Sequence, residues 1–127
     1  MPSAAVIPEL GYVDIGKAAD WLCGAFGFRV RLRIADHRVQ LHAGDGAVVV
    51  HDGGPEGTSR VMVRVEDVDA HCARARAFGA QILQEPTSFP YGERQYSAAD
   101  PAGHRWHFSQ SIADSDPAEW GGELVEP

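Results

Sequence analysis

Long apolar runs are missing from this 127-residue sequence, which excludes a bilayer-crossing helix, since such a helix needs roughly 20 apolar residues in succession. No basic stretch followed by an apolar one opens the chain, so Met1-Pro2-Ser3-Ala4-Ala5 does not read as a secretory signal, and the protein is expected in the cytoplasm. Cysteine is scarce as well. Cys23 and Cys72 stand in separate helical stretches without Cys-x-x-Cys spacing, which argues against a redox or zinc motif and leaves both as reduced packing residues. Positive charge is in deficit: eleven Lys and Arg face eighteen Asp and Glu, for a formal net charge of −7. Such a surface repels the phosphate backbone, so nucleic acid is not an expected partner. What is present is an ordinary globular composition, 44% hydrophobic and 23% charged, in a chain whose length suits one domain spanning 1–127 with no linker.

The most informative pattern is an internal repeat. Ala25-Phe26-Gly27 recurs as Ala77-Phe78-Gly79, and each copy closes a helical stretch that follows a strand and an acidic cap. In the first half, 6–51, Val6 to Val13 reads as a strand and Asp14 as an N-cap. Lys17 to Phe26 reads as a helix with Ala18, Leu22, Ala25 and Phe26 on one stripe. Gly27 ends it, strand Phe28 to Ile34 alternates apolar residues with arginines, and Arg38–His42 and Ala47–His51 flank the Gly44-Asp45-Gly46 turn. The second half, 60–109, repeats the order: strand Arg60–Val65, cap Asp67, helix Val68–Phe78, and strands Ala80–Gln84, Arg94–Ala99 and His104–Ser109. Glu85 to Glu93, with Pro86, Pro90 and Gly92 around Phe89 and Tyr91, reads as a surface loop, either hanging over a pocket or packed down by its aromatics. Residues 110–127 form a tail. The expected class is α+β, two paired βαβββ modules that leave a cleft between their sheets.

Glu66-Asp67-Val68-Asp69-Ala70, Ala75-Arg76-Ala77-Phe78-Gly79-Ala80, Pro90-Tyr91-Gly92-Glu93-Arg94 and Asp100-Pro101-Ala102-Gly103-His104 resemble the second-half signature of vicinal oxygen chelate proteins. This is the glyoxalase, bleomycin-resistance and dioxygenase superfamily. Asp14 with Ala25-Phe26-Gly27-Phe28 is similar to its first-half signature, and Asp116-Pro117-Ala118-Glu119-Trp120-Gly121-Gly122 is similar to a tail of glyoxalase-like members. The resemblance covers residues 6 to 109. It implies paired modules forming a U-shaped mixed sheet around a cleft, and a homodimer, without implying one reaction.

Catalytic relatives hold a divalent metal through His, Glu or Gln side chains on the first, third, fifth and eighth strands. Carried onto this chain, the first position falls at Ile7, which cannot ligate, with Glu9 next on the same face. The third falls at Gln40, with His42 beside it. The fifth falls at Arg60, a permanent cation, or at Val61 or Met62 after a register slip. The eighth falls at His107, a good ligand. The set is incomplete, so no metal cofactor is expected; if a divalent metal is bound, Glu9, Gln40 and His107 are its remnant.

These residues give a small-molecule-binding protein without a complete metal site, with bleomycin-resistance-like sequestration as one form of that function. Its pocket is assigned to Glu9, Gln40, His42, Arg60, Met62, Tyr96 and His107, no residue receives a catalytic role, and the net negative charge favours a cationic ligand. The alternative is a metal-dependent lyase, isomerase or dioxygenase with a displaced ligand set. A metal-free enzyme with His107 as general base and Arg60 holding an anion, and an interaction protein whose pocket is filled, also stay open. His37, His51, His71 and His104 read as surface or turn residues. Trp21, Trp106 and Trp120 read as packing residues, with Trp106 and Phe108 under the sheet and Trp120 placed to lie across a partner subunit.

Overall fold

Two aspartates begin the two helices. Asp14 accepts the backbone N–H of Lys17 at 3.0 Å and Asp67 that of Ala70 at 3.1 Å, each relieving the unpaired donors of a first helical turn. The computed structural model describes residues 4–53 and 56–125. In chain order it contains β1 (Glu9–Tyr12), α1 (Ile15–Phe26), β2 (Arg29–Ile34), β3 (Arg38–Ala43) and β4 (Gly46–Asp52). The same series follows as β5 (Arg60–Arg64), α2 (Val68–Ala77), β6 (Gln81–Ser88), β7 (Glu93–Ala99) and β8 (Arg105–Ser111), and a 3₁₀ turn at Pro117–Trp120 closes the tail.

Each βαβββ module makes a four-stranded sheet, ordered β1-β4-β3-β2 in the first and β5-β8-β7-β6 in the second. The first strand of each module runs parallel to its fourth and the remaining pairs are antiparallel. A parallel pair needs a crossover, which α1 and α2 supply. The α+β architecture expected from the repeat is therefore present. No helix among the described residues is long and apolar enough to cross a membrane.

Two boundaries differ most from the sequence reading. β1 starts at Glu9 and not at Val6; Pro8 has no N–H to donate to a ladder and contributes only its carbonyl, which accepts from Val49. Strand β6 runs through Pro86 to Ser88, so most of the expected loop is strand. β6 is an edge strand whose register slips between Gln84 and Thr87, and an edge with a bulge tolerates a proline. The remaining loop, Phe89–Gly92, is packed down: Phe89 stacks on Tyr91 at 5.2 Å and the Gly92 carbonyl accepts from Ile112. A Cβ on Gly92 would lie 2.0 Å from the Ala113 carbonyl oxygen, so this junction accepts glycine alone.

The two modules share one buried cluster. Leu10, Leu22, Phe26, Leu41 and Val50 of the first module meet Val68, Tyr96, Trp106 and Phe108 of the second. Trp106 and Phe108 are wholly buried on the helix side of β8, as the alternation of that strand implied. Trp120 packs within its own chain, edge-on to Tyr91 at 5.6 Å with its indole N–H on Ser115.

A buried polar junction ties the modules together. Asp100 accepts from the Tyr12 hydroxyl at 2.5 Å, the Trp106 indole at 3.1 Å, and the backbone N–H groups of Ala102 and His104. His104 is fully buried and not a turn residue. Its Nδ1 accepts from Ser59 N–H at 3.1 Å, which places its hydrogen on Nε2 for donation to the Gly11 carbonyl at 2.7 Å.

Candidate functional site

Strand alternation decides which side chains look away from the helices. In the first sheet Leu10, Val39, Leu41, Val48 and Val50 are buried on the helix side, so Glu9, Gln40 and His42 occupy the other face, Glu9 and Gln40 flanking Val49. In the second sheet Trp106 and Phe108 face the core, so His107 faces outward beside its β5 neighbour Met62, with Arg60 next along that strand. Six of the seven residues assigned from the sequence thus fall on the helix-free faces, three on each sheet. Tyr96 is placed on the opposite face: it pairs with Phe108, is wholly buried, and its hydroxyl lies 2.5 Å from His71 Nδ1.

Glu9, Gln40 and His107, the remnant metal donors, each contact an arginine. The Glu9 carboxylate accepts from Arg38, the Gln40 amide oxygen accepts from Arg31 at 2.8 Å, and His107 Nε2 lies 3.3 Å from a guanidinium nitrogen of Arg60. A guanidinium only donates, so it takes the lone pair of His107 Nε2 and leaves Nδ1–H to point at Ser97 Oγ, 2.7 Å away. Burial first, then the charges of Arg60 and Arg105, hold His107 below its ordinary pKa. Both ring nitrogens are engaged and the nearest charge is a fixed cation, a setting that does not fit a divalent ion. Among the described residues no group of three His, Cys, Asp or Glu is placed to hold a metal.

On the same sheet as Arg60 and His107 lies a polar network that the seven residues do not include. Glu93 accepts from Ser109 at 2.8 Å and Ser111 at 2.7 Å, Gln95 donates to Ser109, and Arg64 reaches Ser111 and Glu93. Burial opposes ionisation of Glu93, yet the two serine hydrogen bonds and Arg64 outweigh it and hold the carboxyl below its usual range. The signal for these residues was in the sequence. Arg60-x-Met62-x-Arg64, Glu93-x-Gln95-x-Ser97 and His107-x-Ser109-x-Ser111 each recur at every second residue of one strand, which places them on one face once one member is placed.

A groove of about 960 Å³ runs along β5. Phe26, Phe28, Val61 and Val63 give it an apolar wall beside His71, and Met62, Arg64 and Ser111 connect it to the polar face. His71 is not a free surface histidine. Its Nε2–H donates to the Phe26 carbonyl at 3.0 Å and its Nδ1 accepts from the Tyr96 hydroxyl. Burial, opposed by the Phe26 carbonyl and reinforced by Arg74, lowers its pKa.

These depressed histidines set a pH dependence. With folded pKa values below the unfolded value of about 6.5, the unfolded chain binds protons first as pH falls, so stability is full above that value and declines below it. The melting temperature is expected to fall between pH 7.5 and pH 5.5, less steeply in His71→Gln. Scanning fluorimetry of both proteins checks this, and parallel slopes would refute the role of His71.

An α+β protein of two βαβββ modules, with polar strand faces and an adjoining groove, is the class that the fold defines. The chain belongs to the glyoxalase/bleomycin resistance protein/dioxygenase superfamily, whose family model matches residues 8–108. Among solved structures, TioX from Micromonospora sp. ML1 is 36% identical, the match covering 87% of this chain and 100% of that one with a TM-score of 0.77. TnmS3, an antibiotic binding protein from Streptomyces sp. CB03234, is 27% identical, with 87% and 98% covered and a TM-score of 0.72. Lactoylglutathione lyase from Agrobacterium tumefaciens, 20% identical with 86% and 94% covered and a TM-score of 0.71, shares the fold. Among curated proteins none matches this chain.

Proposed function

We propose that this protein binds and sequesters a small molecule, an antibiotic in the first instance, without a resident metal, and does so as a cytoplasmic homodimer. The observation that carries the reading is the arginine at each would-be donor, Glu9, Gln40 and His107. A Lewis-acid mechanism needs those lone pairs free for the ion, whereas a binding face uses arginines as fixed donors. The antibiotic binding protein TnmS3 supports the ligand class. The homodimer is supported by apolar side chains left on the helix-free side of the first sheet, Leu32 at 42% exposure and Ile34 at 44%, beside the arginines.

The deciding experiment is elemental mass spectrometry after separate reconstitution with nickel, zinc, manganese and iron(II), run beside a thermal-shift screen of antibiotics and a light-scattering mass. No retained stoichiometric metal, a mass of two chains, and at least one antibiotic that raises the melting temperature are expected. A ligand at a hundred times its Kd adds about 2.7 kcal/mol to the folded state. About one ion per chain, lost in His107→Ala, would overturn the reading in favour of a metal-dependent lyase, isomerase or dioxygenase.

A further inference from the structure

The chain carries seven more negative than positive charges, yet its helix-free faces are positive. On the first sheet Arg29, Arg31 and Arg38 stand against one carboxylate, Glu9; on the second Arg60, Arg64 and Arg105 stand against one, Glu93. The acidic surplus lies elsewhere, at the caps Asp14 and Asp67, on α1 and α2 with Asp20 and Asp69, and in the tail with Asp114 and Asp116. Net charge therefore says little about what these faces attract, and the cationic ligand expected from composition meets the wrong sign here.

Partners separate the arginines further. On the helix side Arg33, Arg76 and Arg94 pair with Asp20, Glu85 and Asp69, and Arg74 is held by the Cys23 and Gly24 carbonyls. On the helix-free faces Arg29, Arg31, Arg60 and Arg105 have no carboxylate within 4.0 Å among the described residues. Arg60 gives one contact to His107, and its other N–H groups have no protein acceptor among the described residues. Beside it, Met62 is 63% exposed and continues into the apolar groove.

From this juxtaposition we infer that the ligand is a small molecule with an anionic oxygen, a carboxylate or phenolate, on an apolar aromatic body, the oxygen on Arg60 and the body against Met62 and the groove. The inference rests on the binding reading above and names its ligand class. A guanidinium with free N–H groups recognises carboxylate-type oxygens in its own plane, and Met62 adapts to a flat ring. His107 orients Arg60 by accepting one of its N–H groups, and Ser97 holds the ring of His107 from the other side.

Three probes with one ring system and different charge test this: 9-anthracenecarboxylate, 9-methylanthracene and 9-(aminomethyl)anthracene. Their fluorescence titration is run on the full chain at low and high salt, with Arg60→Gln and, as a control on the helix side, Arg76→Gln. The carboxylate is expected to bind about tenfold or more tighter than either other probe, to lose about tenfold in Arg60→Gln as a charge-assisted hydrogen bond implies, to weaken with salt, and to be unaffected by Arg76→Gln. Arg60→Gln should keep the parent melting temperature, separating lost contact from lost fold. Preference for the amine, or equal binding of carboxylate and neutral probe, overturns the ligand class and leaves the binding reading standing. A carboxylate preference unchanged in Arg60→Gln overturns the assignment to this face, and failure of all three probes to bind overturns both.

Discussion

Asp100→Ala is expected to lower the unfolding free energy by about 3–5 kcal/mol, because it removes one acceptor from several buried donors at once. The mutation leaves four donors without their acceptor: the Tyr12 hydroxyl, the Trp106 indole, and the N–H groups of Ala102 and His104. Each orphaned buried donor costs about 1–3 kcal/mol, partly recovered if water enters the space left behind. Tyr12→Phe removes one donor and leaves the carboxylate with three, so its loss should be nearer 1–2 kcal/mol. Chemical denaturation followed by circular dichroism checks both. For a chain of this size the alanine variant should melt about 10–20 °C lower, and a loss below about 1 kcal/mol would show that the junction is not cooperative. The effect is large because Tyr12 belongs to the first module and Asp100 to the second, so the carboxylate joins two sheets that share no ladder.

The two copies of Ala-Phe-Gly should respond very differently to the same truncation. Phe26 is 3% exposed and sits among Trp21, Phe28, His71, Trp106 and Phe108, with ring centroids 4.8–6.0 Å apart. Phe26→Ala opens a cavity at the centre of the shared cluster, where phenylalanine truncations cost about 3–5 kcal/mol. Phe78 is 49% exposed and meets Trp21 at 6.2 Å, lying over Gly24. Phe78→Ala should cost only about 1 kcal/mol, since half of the ring is already in water. Equal losses would mean that the modules are energetically alike and the asymmetry of the cluster is superficial.

The repeat that makes this comparison natural was also what made the fold legible. Gly27 at φ 76° and Gly79 at φ 99° are the left-handed stops that the two Ala-Phe-Gly segments announced, and the caps Asp14 and Asp67 act as their positions implied. The second helix, though, ends one residue earlier, at Ala77. Strand β6 was harder to read because Pro86 is a breaker by composition and is tolerated only through the edge position and bulge that tertiary structure supplies. The histidines were least legible. His104 is buried by a carbonyl 93 positions away, at Gly11, and His71 by Phe26 and Tyr96; no local pattern carries such contacts. For the candidate site, the alternation of β1, β3, β5 and β8 located Glu9, Gln40, His42, Arg60, Met62 and His107 on shared faces, but not the arginine that Glu9, Gln40 and His107 each contact. Placing Tyr96 needed the β7 to β8 register, which sets it opposite Phe108.

The environments of the three tryptophans give the molecule a spectroscopic signature of its own. Trp106 is sealed from solvent with its N–H on a carboxylate, Trp21 is wedged at the helix seam against Phe26 and Phe78, and Trp120 is 43% exposed in the tail. Excited together, they are expected to emit as a blue component from Trp106, an intermediate one from Trp21 and a red one from Trp120, with iodide quenching the last of these first. Selective quenching therefore separates loosening of the tail from opening of the core without any attached dye.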